Sequence, residues 1–250
     1  MNIADHEPVV AFTLARYPRQ ESVRALAHLG LDRWPLAHTP GLQFWRLLGV
    51  GQGCVFDPHA DLQRYALFTI WRSLEDLRRF ESTSAVMRRI YQRSEESWTV
   101  HMLPVSWHGK WGGHDPLQRF VAAPPPQTDP WIILTRATIR PGRVQAFLQA
   151  VPAVAEQLLQ QQTLLHSVGV GEAPLFYQAT LSIWSTLPPM KQFAYGPTAH
   201  ADVIRRTRNE QWYKEEMFAR FRPLASYGTW DGIDPLGTRP EYNAGCIKRQ

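Results

Sequence analysis

Cysteine is nearly absent from the 250 residues: Cys54 and Cys246 are the only two, and no C-x-x-C pair occurs. That excludes a disulfide framework and a cysteine-built zinc site, and it leads us to expect a reducing compartment. The first residues, MNIADHEPVVAF, carry no basic segment followed by an apolar stretch, so no secretory signal is visible. No run of about 18 apolar residues is present, so a membrane-spanning helix is not expected. The expected location is the cytoplasm, with peripheral contact at a membrane in view. Basic residues occur in scattered pairs (Arg88-Arg89, Arg205-Arg206, Lys248-Arg249) rather than in a patch, which argues against a nucleic-acid partner. The formal net charge of +5 and a pI near 9.4 suit an anionic cofactor or surface without selecting one. Signatures of common catalytic sites are missing too. There is no H-E-x-x-H among the nine histidines, no G-x-S-x-G, no P-loop and no dinucleotide fingerprint.

What the chain does have is aromatic mass and a repeat. Ten Trp and eleven Phe supply material for a core and for the walls of an apolar cavity. Gly109-Lys-Trp111-Gly-Gly113-His-Asp115-Pro116-Leu117 returns as Gly228-Thr-Trp230-Asp-Gly232-Ile-Asp234-Pro235-Leu236. Thr69-Ile70-Trp71 with Leu77 and Phe80 returns as Ser182-Ile183-Trp184 with Met190 and Phe193. We further match Trp98 to Trp212 and Gly49-Val-Gly51 to Gly169-Val-Gly171. Elements kept in order while loops changed length define a duplication.

The organisation expected is a first repeat over 8–117, a proline-rich linker over 118–130, a second repeat over 131–236 and a tail over 237–250. Each repeat opens on a strand-like run (Val9 to Leu14; Trp131 to Ile139), then a helical stretch (Glu21 to His28; Arg143 to Gln162). A strand ending at a Gly-Val-Gly turn follows, then a strong strand (Tyr65 to Trp71; Phe176 to Trp184), a second helix and a last strand. Ser73-Leu-Glu-Asp76 is a capping pattern for the second helix of the first repeat. β-α-β-β-α-β is the ferredoxin-like unit. One sheet with helices on one side leaves its other side apolar, and two units can bury those faces together. The fold expected is α+β: two tandem ferredoxin-like repeats forming an intrachain dimeric α+β barrel, with a central cavity. The twin G-x-W-x-G-x-D-P-L tails, present in both halves, are expected to be packing motifs.

His200 marks a chemical divergence. The corresponding place in the first repeat holds Val86 or Met87. Val203 and Ile204 follow at helical spacing, so the imidazole is expected on the stripe that packs against the sheet. Two readings stay open: a hydrogen-bonded core histidine, or a lone imidazole of the kind that holds a haem iron. Arg136 and Thr138 alternate on one strand face, and Gln178, Thr180 and Ser182 on another. Polar residues there imply pairing or function.

Several segments resemble a known family. Leu36 to Leu42, Leu134 to Arg143, Gly169 to Leu175, Ser182 to Trp184, and Asn209 to Trp212 with Glu215 to Phe221 are similar to the spheroidene monooxygenases, over about Phe12 to Leu236. Those enzymes oxygenate linear carotenoids to keto-carotenoids. The stretch Thr186 to His200 also resembles the haem-ligand helix of the aldoxime dehydratases, with Ala199 inserted before the histidine. Together these resemblances imply haem b with His200 as the iron ligand, and Val203, Ile204 and Trp184 lining the cofactor. They make Arg136 and Gln178 the candidate catalytic hydrogen-bond donors on the opposite side. An apolar substrate, a separate electron donor such as a ferredoxin and transient contact with a membrane surface are further implied. Two other functions remain open: a haem enzyme of the same fold doing dehydratase or other oxidative chemistry on a different molecule, and a haem or lipophile carrier without turnover. No amphipathic anchor stands out.

Overall fold

The computed structural model describes residues 6–54, 59–126, 130–173, 176–196 and 199–237, without the side chains of 173, 195 and 199–201. In chain order the elements are β1 (Val9–Arg16), α1 (Ser22–Leu31), α2 (Arg33–Ala37), β2 (Leu42–Gly51), β3 (Ala60–Trp71), α3 (Leu74–Thr83), α4 (Ala85–Arg93), β4 (Glu96–Gly109), β5 (Trp131–Ile139), α5 (Val144–Leu159), β6 (Leu164–Ala173), β7 (Tyr177–Trp184), α6 (Leu187–Tyr195), α7 (Ala199–Asn209) and β8 (Tyr213–Gly228). The strands hydrogen-bond in the order β1-β3-β2-β6-β7-β5-β8-β4 and close into a barrel, the α+β fold that the repeat pattern implies. β1 runs antiparallel to β3 and β4, and β5 antiparallel to β7 and β8.

The chain forms two compact units, and the tails change sides. Counting described residues, one unit holds 6–50, 61–103 and 223–237, and the other holds 51–60 and 104–222. The first repeat's tail thus belongs to the unit built on β5, β6 and β7, and the second repeat's tail to the unit built on β1, β2 and β3.

Local chemistry explains why both tails are kept. The amides of Gly112 and Gly113 donate to Glu215 at 2.9 and 2.6 Å, and the Gly232 amide donates to Glu96 at 2.6 Å. Asp115 and Asp234 each accept from the amide two residues on, at Leu117 and Leu236. These aspartates also tie the turn to a strand, accepting from Trp107 Nε1 and from Ser226 Oγ. The tails are packing motifs, as their duplication implies. They fix the strand correspondence at an offset of 119, which pairs Trp98 with Met217; the sequence match of Trp98 to Trp212 is therefore incorrect. Trp212 lies before β8 begins, with its indole donating to Glu210.

The duplicated hydroxyl-Ile-Trp motif has one physical role in both copies. Trp71 Nε1 donates to Thr69 Oγ1 and Trp184 Nε1 to Ser182 Oγ, both at 2.9 Å. A buried indole is thereby satisfied by its own strand, two residues back on the same face. Each Trp then meets the helical Phe of its repeat, Trp71 against Phe80 and Trp184 against Phe193.

Two local expectations are corrected. The Gly-Val-Gly segments are not turns: they lie inside β2 and β6, and none of their glycines has a positive φ. At Gly171 a Cβ would stand 2.6 Å from the Tyr177 carbonyl oxygen, so close strand approach calls for glycine there. The second helix of each repeat is in fact a pair. Ser73 caps α3 as expected, accepting from the Asp76 amide, but Ser84 is extended and caps a new helix by accepting from the Met87 amide. In the second repeat α6 stops at Gly196 and α7 starts at Ala199.

Candidate functional site

Within the second unit, a cavity of about 160 Å³ lies between the sheet and the helices. Its floor is a four-rung ladder in which Trp131 pairs with Trp184, Ile133 with Ser182, Thr135 with Thr180 and Ala137 with Gln178. Period-two alternation puts these side chains on one face, and all but Trp131 line the cavity. The roof comes from Phe147 and Val154 of α5, Met190 and Phe193 of α6 and Val203 of α7, with Tyr213 and Phe218 of β8 at the side. The cavity is therefore inside one repeat, on its helix side, whereas the sequence reading places it at the centre of the barrel.

The first repeat shows what makes the second hollow. Its equivalent floor carries Tyr65 where Gln178 stands and Leu67 where Thr180 stands, and both are buried in a core cluster with Leu77, Phe80 and Met87. Tyr17 fills the space further, edge-on to Tyr65 with ring centroids 6.0 Å apart. Thus two large apolar floor residues have become smaller polar ones, and the helix-side Met87 corresponds to His200.

Each sequence-derived candidate has a definite place. Gln178, Trp184 and Val203 line the cavity together. Ile204 follows Val203 in α7 and is half-buried. His200 is in α7, one turn before Val203, and its side chain is outside the described residues. Gln178 is 8 % exposed, and no hydrogen bond engages its amide among the described residues. Ser182 is committed to the Trp184 indole. Arg136 is on the other face of β5. It is ion-paired with Glu215 and lies over the rings of Trp111 and Tyr177, at 5.7 and 5.9 Å from their centroids. The two donors suggested by sequence are thus separated by the sheet, and only Gln178 addresses the cavity. Among the described residues no three His, Cys, Asp or Glu converge as a metal site.

Tyr213 and Glu215 mark the electrostatics on the two sides of β8. Burial, reinforced by Glu216, pushes the Tyr213 phenol well above its ordinary value, and the residue lines the cavity. Burial raises the Glu215 carboxyl, but the Gly113 and Gly112 amides and Arg136 together outweigh it, and the net shift is downward. A depressed carboxylate contributes stability that is complete above its unfolded value and lost as pH falls through the folded one. Glu215→Gln is expected to lower Tm at neutral pH, and its gap from wild type to narrow as pH drops from about 5 to about 3. Thermal melts across that window test this; a gap that stays constant would contradict it.

The fold and cavity define a class: tandem-repeat α+β barrels with an apolar, helix-covered cavity in the second repeat. Aldoxime dehydratase shares the fold. Its complex with butyraldoxime matches with a TM-score of 0.57 at 10 % identity, covering 89 % of this chain and 81 % of that one. A second aldoxime dehydratase structure gives 0.53 at 11 % identity, over 89 % and 83 % of the two chains. No family model matches the chain. Full-length relatives do. The chain is 35 % identical over 233 residues to a spheroidene monooxygenase of Rhodobacter capsulatus, covering 93 % of this chain and 97 % of that protein. It is 31 % identical over 199 residues to one from Rubrivivax gelatinosus, covering 79 % and 75 %. The chain belongs to the spheroidene monooxygenase family.

Proposed function

We propose that this protein is a haem-dependent monooxygenase that oxidises a linear carotenoid to a keto-carotenoid, with haem b held in the second-repeat cavity by His200. The observation that carries the reading is the asymmetry between repeats: the space filled by Tyr65, Leu67 and Met87 in the first is opened in the second, on the helix that bears the histidine. The lining is of the kind a porphyrin face contacts, with Trp184, Phe193, Phe147 and Phe218 around a sparse polar floor. At about 160 Å³ the space is smaller than ligand pockets of about 300–1,000 Å³, so uptake of the cofactor requires the covering helices to give way. Val203, one turn from His200 in α7, lines that space. Haem, when bound, supplies the redox centre at which dioxygen is activated.

The chain's own groups do the rest. His200 anchors the cofactor from the helix side. Gln178, with no competing partner among the described residues, can donate its amide N–H into the cavity from the sheet side. The aromatic and aliphatic walls exclude water and favour an apolar polyene. A methylene becomes a ketone in two oxidations. Each uses one dioxygen, two protons and two electrons from a separate donor such as a ferredoxin, puts one oxygen atom into the substrate and releases the other as water. The geminal diol then loses water to leave the ketone.

A surface feature supports contact with a membrane, where a carotenoid is dissolved. Val23, Leu26, Leu31 and Trp34 are 78, 50, 64 and 72 % exposed along α1 and α2. They give an exposed apolar patch spread over two consecutive helices, of the kind that can rest on a bilayer surface. No helix among the described residues is long and apolar enough to cross a membrane.

The test is turnover of a linear carotenoid by haem-loaded protein with a ferredoxin system under isotopically labelled dioxygen. The expected result is one labelled oxygen in the product and no conversion under argon. Conversion of a substrate without oxygen would favour Lewis-acid chemistry, and haem uptake without any turnover would favour a carrier.

A further inference from the structure

Comparing the repeats position by position exposes a cation that has lost its acid. In the first repeat His101 of β4 is buried, and its Nε2 lies 2.7 Å from Glu81 Oε1 of α3. The corresponding positions in the second repeat are Arg220, at the strand offset of 119, and Ala194, at the helix offset of 113. The sheet registers agree, since Ala11 pairs with His101 and its counterpart Ile133 pairs with Arg220. The acid has therefore become an alanine that lines the cavity, while the imidazole has become a guanidinium that is always charged.

Arg220 is not itself a lining residue of that cavity but adjoins two that are. Its Cζ is 5.1 Å from the ring centroid of Phe218, which lines the cavity, as does its cross-strand neighbour Ile133. The Arg220 Nε is buried without a hydrogen-bond partner, and Arg220 makes no ion pair among the described residues. Arg222, two residues on and so on the same strand face, has a buried Nε without a partner as well. A buried guanidinium nitrogen left without an acceptor is costly, and one whose former partner has been replaced by a methyl group next to a cavity is suited to an acceptor carried by the ligand.

We propose that Arg220 is an anion-binding residue of this cavity and receives a carboxylate of the bound cofactor, a haem propionate, with Arg222 adding positive charge beside it. The proposal rests on the haem reading above.

The experiment is titration of the haem-free full-length protein with protohaem and with its dimethyl ester, followed by absorption, for wild type, Arg220→Met and Arg220→Lys. Charge-assisted hydrogen bonds set the scale, so wild type is expected to prefer the free acid by roughly 10- to 100-fold. Arg220→Met should lose that preference while binding the ester as wild type does, which also shows that its cavity is intact; Arg220→Lys should keep part of it. An Arg220→Met protein with an undiminished preference for the free acid would overturn the proposal. A wild type that binds both porphyrins equally would overturn it while leaving the haem reading standing. A wild type that binds neither would overturn the haem reading, and this proposal with it.

Discussion

Rebuilding the first repeat's floor in the second, as Gln178→Tyr with Thr180→Leu, is expected to abolish cofactor uptake and turnover while stabilising the protein. Each substitution copies a side chain that already packs at the equivalent place, Tyr65 and Leu67 under α3 and α4. Filling an apolar cavity with hydrocarbon typically adds about 0.5–2 kcal/mol. For a chain of this size that raises Tm by roughly 1–8 °C. Function and stability should thus move in opposite directions, as they do where a cavity is kept open for a ligand at the expense of packing. Thermal melts beside haem titrations decide it. Wild-type cofactor uptake by the double variant would mean that the ligand occupies some other space.

Alanine at Gly228 or Gly109 is expected to destabilise the fold by about 3 kcal/mol or more, placing both among the most damaging single changes. Both residues have positive φ, +81° and +94°. A Cβ on Gly228 would stand 2.0 Å from the Ser97 carbonyl oxygen, and one on Gly109 would stand 2.1 Å from that of Glu216. The obstacle is strand backbone in both cases, so nothing flexible can give way. Gly232 and Gly113 are the internal controls: φ is +86° and +84°, but nothing lies within 4 Å of the added carbon. Alanine there should cost only the left-handed backbone, about 1–2 kcal/mol. Urea denaturation of the four variants tests the order, and equal losses within each tail would contradict it.

These cases show which features sequence makes visible. Repetition of Trp71 and Trp184 two residues after a hydroxyl reveals a duplicated strand, because the indole's partner is local. The strand runs at Val9 and Trp131 are visible through their β-branched and aromatic density. His200 stands out because its counterpart is apolar. What depends on distant partners is hidden. Alternation along each strand does not say how the faces of two strands correspond, so sequence puts Arg136 and Gln178 on one side, and only the fold separates them and commits Arg136 to Glu215, 79 residues away. Arg220 becomes notable only once the repeats are compared, when the place of Glu81 is found to hold Ala194. The Gly-Val-Gly segments mislead because close strand approach and turns both select glycine. The exposed apolar residues Val23, Leu26, Leu31 and Trp34 are spread over two helices and follow no single helical period, so sequence does not reveal them as a patch.

The central claim is that the second-repeat cavity holds haem on His200. The most direct measurement is the absorption spectrum of protein produced with added haem precursor, for wild type and His200→Ala. The account predicts a Soret band in the wild type that is lost or shifted in the variant. A wild type without a band even after haem titration, or a variant whose band is unchanged, would contradict it.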